Sequence, residues 1–179
     1  EFSKEQESIT DDKLGRNHVY FLPYLMGERS PHNDPMARAT FTGITMDTSR
    51  SDMTQAVLEG VAFAIRDSFE VAKKLGMNIT NATLCGGGAK SPLWRKIIAN
   101  VLNVDINIPQ VEEGPSMGAA MLAMVAAGAY PSVKAAADAI CRVSETVKPD
   151  AQIAERYEEK YRNFTGIYPS LKSVFKLIN

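Results

Sequence analysis

The chain has 179 residues, 20 basic against 21 acidic, a net charge of −1 and 45% apolar side chains. That length supports one domain with a real core, or two small ones, and the near-neutral balance leaves no electrostatic footprint for nucleic acid or an anionic membrane. Two cysteines, Cys85 and Cys141, are too few for a disulfide framework, which points to a reducing cytoplasm.

Residues 1–17 read as a flexible N-terminal segment. EFSKEQESITDDK is highly charged and has no apolar core, so it is no signal peptide. It lacks an initiator methionine, and Glu1-Phe2 is compatible with a cloning remnant, so the chain reads as a piece of a longer protein. HVYFLPYL (His18 to Leu25) predicts a strand and GERSPHNDP (Gly27 to Pro35), dense in turn residues, a loop. ATFTGI (Ala39 to Ile44) predicts a second short strand.

Ser49 and Asp52 offer a capping box ahead of a long helix. Met53, Val57, Val61, Ile65, Phe69, Ala72 and Leu75 recur at helical spacing, with Glu59, Arg66, Glu70 and Lys73 on the opposite side. Gly76 suits the residue just past the helix end. ATLC (Ala82 to Cys85) predicts a strand. Ser91-Pro92 opens the next helix as N-cap and first-turn proline, with Leu93, Trp94, Ile97, Ile98, Val101 and Leu102 as its apolar stripe.

VDINIP (Val104 to Pro109) alternates like a sheet-edge strand. The uncharged run Gly114 to Val133 is cut by proline and glycine to a helical part of roughly 14 residues, short of the roughly 20 needed to span a bilayer. It reads as a buried helix, Gly114 to Ala127. A helix over Val133–Ile140 and a charged one from about Asp150 to Tyr168, with Ile153, Tyr157, Tyr161 and Phe164 on one face, complete the chain. The order predicts an α/β layered domain.

LCGGGAKSPLW (Leu84 to Trp94) carries the clearest chemical signal. Three glycines between a strand and a capped helix put bare backbone at a strand's carboxyl end, where open α/β sheets bind ligands. Without Cβ atoms a flat ring or a phosphate can approach the N–H groups, and the helix N-terminus adds a positive partial charge. The same glycines also suit a tight connection that needs φ > 0. Neither the P-loop nor the dinucleotide fingerprint fits. A second small-residue segment, Glu113 to Ala120, puts Gly114 and Gly118 on one side of a helix, for a ligand or for close packing.

The remaining polar residues read as structural. Glu28 and Arg29 suit a buried pair that holds chain segments together better than a catalytic role. His18 and His32 are too isolated for a metal site. Cys85 reads as a buried strand-end thiol, and Trp94 as core rather than an adenine stack.

These segments together resemble the FGGY family of carbohydrate kinases. Ala39 to Gly60 looks like that family's carboxy-terminal signature: Phe41, Gly43-Ile44, a seven-residue spacer, Asp52-Met53, then Ala56-Val57-Leu58-Glu59. FLPYLMGERSPHNDP, LCGGGAKSPLWRKIIANVL and EEGPSMGAAMLA match the xylulokinase branch. The resemblance runs from about Val19 to the end.

It implies an actin-like ATPase domain of the RNase H-like type, a mixed sheet flanked by helices. Residues 18–179 would be the incomplete second, nucleotide-side domain of a two-domain sugar kinase. It places Gly86, Gly87, Gly88 and Ala89 at the adenosine-contacting turn, with Pro92 where some relatives carry an asparagine. Gly114 and Gly118 would form a second nucleotide wall.

The implied cofactors are ATP and Mg2+, the metal held mainly by the absent N-terminal domain. The implied partners are ATP, a sugar and that domain, and a homodimer is left open. No segment matches the family's Asp-x-Gly loop, catalytic aspartate motif or Gly-Thr-Ser-Gly-like turn. The chain alone is therefore expected not to be a kinase. A gluconate or ribulose kinase, or a non-catalytic nucleotide-binding or assembly module, stands as the alternative.

Overall fold

The leading residues form a short helix, α1 (Phe2–Glu7), and a single 3-10 turn at Asp11–Lys13. The protein is seen in a computed structural model that describes residues 2–111 and 114–178. The lead-in is not the loose segment its composition suggests, because Ile9 and Leu14 are 5% and 0% exposed and belong to the main core. Two apolar side chains in the charged segment enter the core, and Asp11 pairs with Lys96 at 2.8 Å.

A two-stranded antiparallel ribbon follows, β1 (Tyr20–Leu22) and β2 (Thr40–Thr42), with Phe21 opposite Phe41. The loop between them is held by its own side chains. Glu28 accepts the backbone N–H groups of Ser30 and His32, both at 2.8 Å. That is a correction to the expected Glu28–Arg29 pair: the carboxylate satisfies nearby loop amides, and Arg29 is exposed.

Ser49 and Asp52 close the capping box reciprocally, and α2 runs from Arg50 to Lys74 with Gly76 at φ +86° beyond it. Its buried face is not the apolar stripe alone. Gln55, Glu59, Arg66 and Asp67 are all buried on it, whereas Val57, Val61 and Ile65 are only half-buried. Glu59 and Arg66, expected on the solvent side, are inside because partners meet them there. At Gly60 the helix passes so close to β1 that an added Cβ would stand 2.1 Å from the Phe21 carbonyl oxygen. Only glycine permits that crossing.

The second sheet has three strands in the order β3 (Asn81–Thr83), β4 (Asp105–Pro109), β5 (Val143–Val147). β4 pairs with β3 in parallel and with β5 in antiparallel register. β4, expected at an edge, is therefore central. Its partner β5 went unread because its first four residues are exposed and show no buried alternation. α3 (Pro92–Leu102) connects β3 to β4 and packs on β4, α2 and a long final helix, α6 (Ala151–Leu177).

α6 continues past Pro169, where the sequence suggested an end. Buried Tyr168 and Phe175 anchor it on both sides of the proline, so tertiary packing overrides the local penalty. Between β4 and β5 lie α4 (Gly114–Ala126) and α5 (Val133–Ile140). α4, expected to be buried, has no buried residue, and Leu122 is 61% exposed. Among the described residues its main packing partner is α5. Glu113 precedes it and lies outside the described residues.

The core between α2 and α6 is partly ionic. Glu59, 1% exposed, accepts from Gln55 Nε2 at 2.8 Å, Tyr157 OH at 2.9 Å and the Gly15 N–H at 3.3 Å, and pairs with Lys160, itself 3% exposed. Removing one member leaves the other charge buried alone. Lys160→Met should therefore cost about 3–5 kcal/mol, measured by urea unfolding, and Glu59→Gln in the same chain should recover part of it.

Asp67 lies on the same face. Burial holds its carboxyl above the usual range, opposed by the Tyr161 hydroxyl that donates to it at 2.6 Å. A raised folded pKa means that folding penalises the charged form at neutral pH, and the penalty fades as pH falls through that pKa. Asp67→Asn should raise the melting temperature at pH 7, and thermal melts should show the gain shrinking toward about pH 4. An equal gain at both ends would exclude burial as the cause.

Candidate functional site

The glycine turn joins strand to helix as the sequence suggests. β3 ends at Thr83, Leu84 N–H still donates to Asn107 O at 2.9 Å, and the chain leaves the sheet through Cys85 and Gly86. Gly87–Lys90 form one 3-10 turn, closed by Ala89 N–H on Gly86 O and Ser91 N–H on Gly88 O. Ser91 then caps α3: its Oγ accepts from Trp94 N–H at 3.2 Å, with Pro92 in the first turn.

The three glycines have three different reasons. Gly86 adopts φ +86°, a conformation that side chains resist. Gly88 has a neighbour: an added Cβ would stand 1.7 Å from Cζ3 of Trp94, inside the indole. Gly87 has neither constraint, with nothing within 4 Å of its missing Cβ. Of the three, Gly87 is the one whose bareness the chain's own packing does not require.

That bare backbone faces a cleft of about 710 Å³. Its floor is apolar, made by Val57, Leu58 and Val61 of α2 and by Leu93 and Trp94 of α3, and its rim includes Gly87, Gly88 and Pro92. A mostly apolar concavity with a few polar groups is the usual form of a small-molecule site. Gly86 and Ala89 do not line it. Ala89 is 3% exposed and has both backbone groups engaged, its N–H on Gly86 O and its carbonyl accepting from Arg95. Arg95 also pairs with Glu145 of β5 at 2.7 Å, so the turn is braced against the sheet.

Gly114 and Gly118 are outside the cleft lining. Gly114 stands beside Cys85, whose Sγ would be 3.5 Å from an added Cβ. Cys85 itself, expected to be buried, is exposed, because it follows the strand end and leaves the sheet with the turn. His18 bonds Thr48 Oγ1 at 3.0 Å, and His32 stacks on Tyr168 with ring centroids 3.9 Å apart.

Trp94 packs against the main core and also lines the cleft. Its indole N–H is buried without a partner among the described residues. Several contributors were missed in the sequence, Gln6, Glu7, Val57, Leu58, Val61 and Lys90 among them. Val57 and Val61 were assigned wholly to core by their periodicity, and Gln6 sits in a charged lead-in that carries no local signal.

The turn separates packing from openness by one residue. Gly88→Ala should destabilise the fold by about 1–3 kcal/mol through overpacking on the indole, with a shifted emission from Trp94, the single tryptophan. Gly87→Ala should leave both unfolding midpoint and emission near wild type. Equal effects at the two positions would overturn this division.

The sequence profile of the FGGY family of carbohydrate kinases, C-terminal domain, matches residues 3–127. A xylulose kinase of Staphylococcus epidermidis is 36% identical over 162 residues, 90% of this chain and 33% of that protein. Among solved structures, a ligand-bound xylulose kinase from Lactobacillus acidophilus is similar with a TM-score of 0.88 at 25% identity, over 99% of this chain and 36% of that one. A gluconate kinase from the same organism gives 0.87 at 25% identity, over 99% and 35%. The chain thus spans about a third of the length of the relatives it matches. The mixed sheet with flanking helices is the expected actin-like α/β architecture, shared with these kinases. Profile, sequence and fold agree, and the chain belongs to the FGGY family of carbohydrate kinases, matching its C-terminal domain.

Proposed function

We propose that this chain is the ATP-binding C-terminal domain of a xylulokinase-like sugar kinase. The parent protein transfers the γ-phosphoryl group of ATP to a hydroxyl of a pentulose, D-xylulose to D-xylulose 5-phosphate, in the cytoplasm. The observation that carries this reading is Gly87, bare backbone without a packing reason, on the rim of an apolar cleft at a strand's carboxyl end. The xylulose kinase relatives supply the sugar class.

The residues present fit a nucleoside. Gly87 and Gly88 let a flat ring approach the backbone, Leu93 and Trp94 offer it an apolar face, and Pro92 narrows the rim without adding a donor. Gly86 shapes the turn and Ala89 anchors it, Gly114 stands beside Cys85, and Gly118 lies further along the same helix. ATP supplies the phosphoryl group when bound. Phosphoryl transfer also needs a base, a magnesium carboxylate and donors around the phosphates. In this reading the N-terminal domain holds the base and most of the magnesium ligands, and the chain alone is inactive.

A second reading, a gluconate kinase of the same family, is favoured by the gluconate kinase neighbour, which overlays this chain as completely as the xylulose kinase. Among the described residues no helix is long and apolar enough to cross a membrane.

The test uses the parent protein and this chain side by side. With D-xylulose and ATP the parent should release ADP at about 1–100 per second, and the chain alone should release none. Calorimetry of ATP into the parent should show Gly87→Val weakening binding about tenfold, or roughly 1.4 kcal/mol. Turnover with gluconate and none with D-xylulose would replace the first reading with the second. An unchanged dissociation constant in Gly87→Val would remove the cleft from the nucleotide site.

A further inference from the structure

α1 bridges α2 and α3 across the cleft. Glu5 holds it to α2, through Arg50 at 2.5 Å and the Thr54 hydroxyl at 3.1 Å. Gln6 holds it to α3, where Ser91 Oγ donates to Gln6 Oε1 at 2.6 Å. Gln6 thereby joins the cleft lining beside Gly87, Gly88 and Pro92.

The Gln6 amide oxygen faces Ser91, whose hydroxyl donates to it. Ser91 Oγ already accepts from Trp94 N–H, and its own proton goes to Gln6. The Gln6 Nε2 group keeps two N–H donors, with no partner for them among the described residues. The lining is apolar along Val57, Val61, Leu93 and Trp94, its charged members are Glu7 and Lys90, and Pro92 has neither a backbone N–H nor a side-chain donor.

We propose that Gln6 is a ligand-contacting specificity residue whose Nε2 donates to an acceptor on the nucleoside part of the nucleotide, a ring nitrogen or a ribose oxygen. This rests on the reading of the cleft as a nucleotide site. Ser91 acts through Gln6 as a positioning residue, orienting the amide so that the donors face the ligand. A residue from the lead-in thus completes a site otherwise built from α2, α3 and the glycine turn.

Calorimetry on the full-length parent tests it, with ATP, adenosine and inorganic triphosphate titrated into wild type, Gln6→Leu, Gln6→Glu and Gly87→Val. Gln6→Leu and Gln6→Glu should weaken ATP and adenosine alike, about three- to tenfold, and leave triphosphate binding unchanged, and Gln6→Glu, which keeps the acceptor for Ser91, should also keep the melting temperature. Gln6→Glu keeps the acceptor for Ser91 but has no N–H, so wild-type binding in that variant would reduce Gln6 to a strap and overturn the proposal. Wild-type affinity in both Gln6 variants, with Gly87→Val weakened, overturns this inference and leaves the nucleotide site standing. Failure of wild type to bind ATP removes both.

Discussion

A single buried carboxylate organises the side of the molecule away from the sheet. Glu59, 1% exposed, sits mid-α2 and is met by Lys160 and Tyr157 from α6, Gln55 from its own helix and the Gly15 N–H from the lead-in. Left alone, a charge so deep would be costly. Four donors satisfy it, and those donors come from three separate stretches of chain. Burial lowers the Lys160 pKa while the Glu59 charge raises it. The pair therefore contributes by fixing which residues of α2 and α6 face each other more than by net attraction.

That alignment has consequences further along both helices. One turn on, Phe63 meets Tyr157, Tyr161 and Phe164, with ring centroids 6.1, 5.9 and 5.1 Å away. Beyond them Arg66 lies over the Tyr161 ring at 4.1 Å, pairs with Glu158 and donates to the Val101 carbonyl of α3 at 3.1 Å. Rotating α2 to bury its apolar stripe instead would strand each of these groups. The stripe is therefore only half-covered, and Val57 and Val61 are left as the cleft floor. The same interaction that orders the core leaves an apolar surface uncovered in the cleft.

The glycine turn shows how close packing and binding stand to each other. Gly88 is bare because Trp94 occupies the space its side chain would need, and Gly87, one residue earlier, is bare toward open volume. The Trp94 ring serves both neighbours, as support under the turn and as cleft wall. α4 presents the opposite situation, an apolar helix with no buried residue whose main packing partner among the described residues is α5.

Much of this was legible in the sequence because it is local. The Ser49–Asp52 box, Gly76 past the helix end, Ser91-Pro92 at the start of α3 and the strand–glycine–helix order all rest on neighbours within four residues, where propensity and capping decide. The family signature was legible for the same reason, as a fixed string of residue types. What tertiary structure alone decided is every choice that depends on distant partners. Glu59 and Arg66 look like solvent residues until Lys160 and Glu158, about a hundred positions away, neutralise them. β4 looks like an edge until the exposed strand β5 pairs with it. α6 looks finished at Tyr168 until Phe175 finds the core. Gln6 reaches the cleft where Ser91, 85 residues on, donates to its amide oxygen. Periodicity records which side of an element is apolar, and only the fold determines which side is covered.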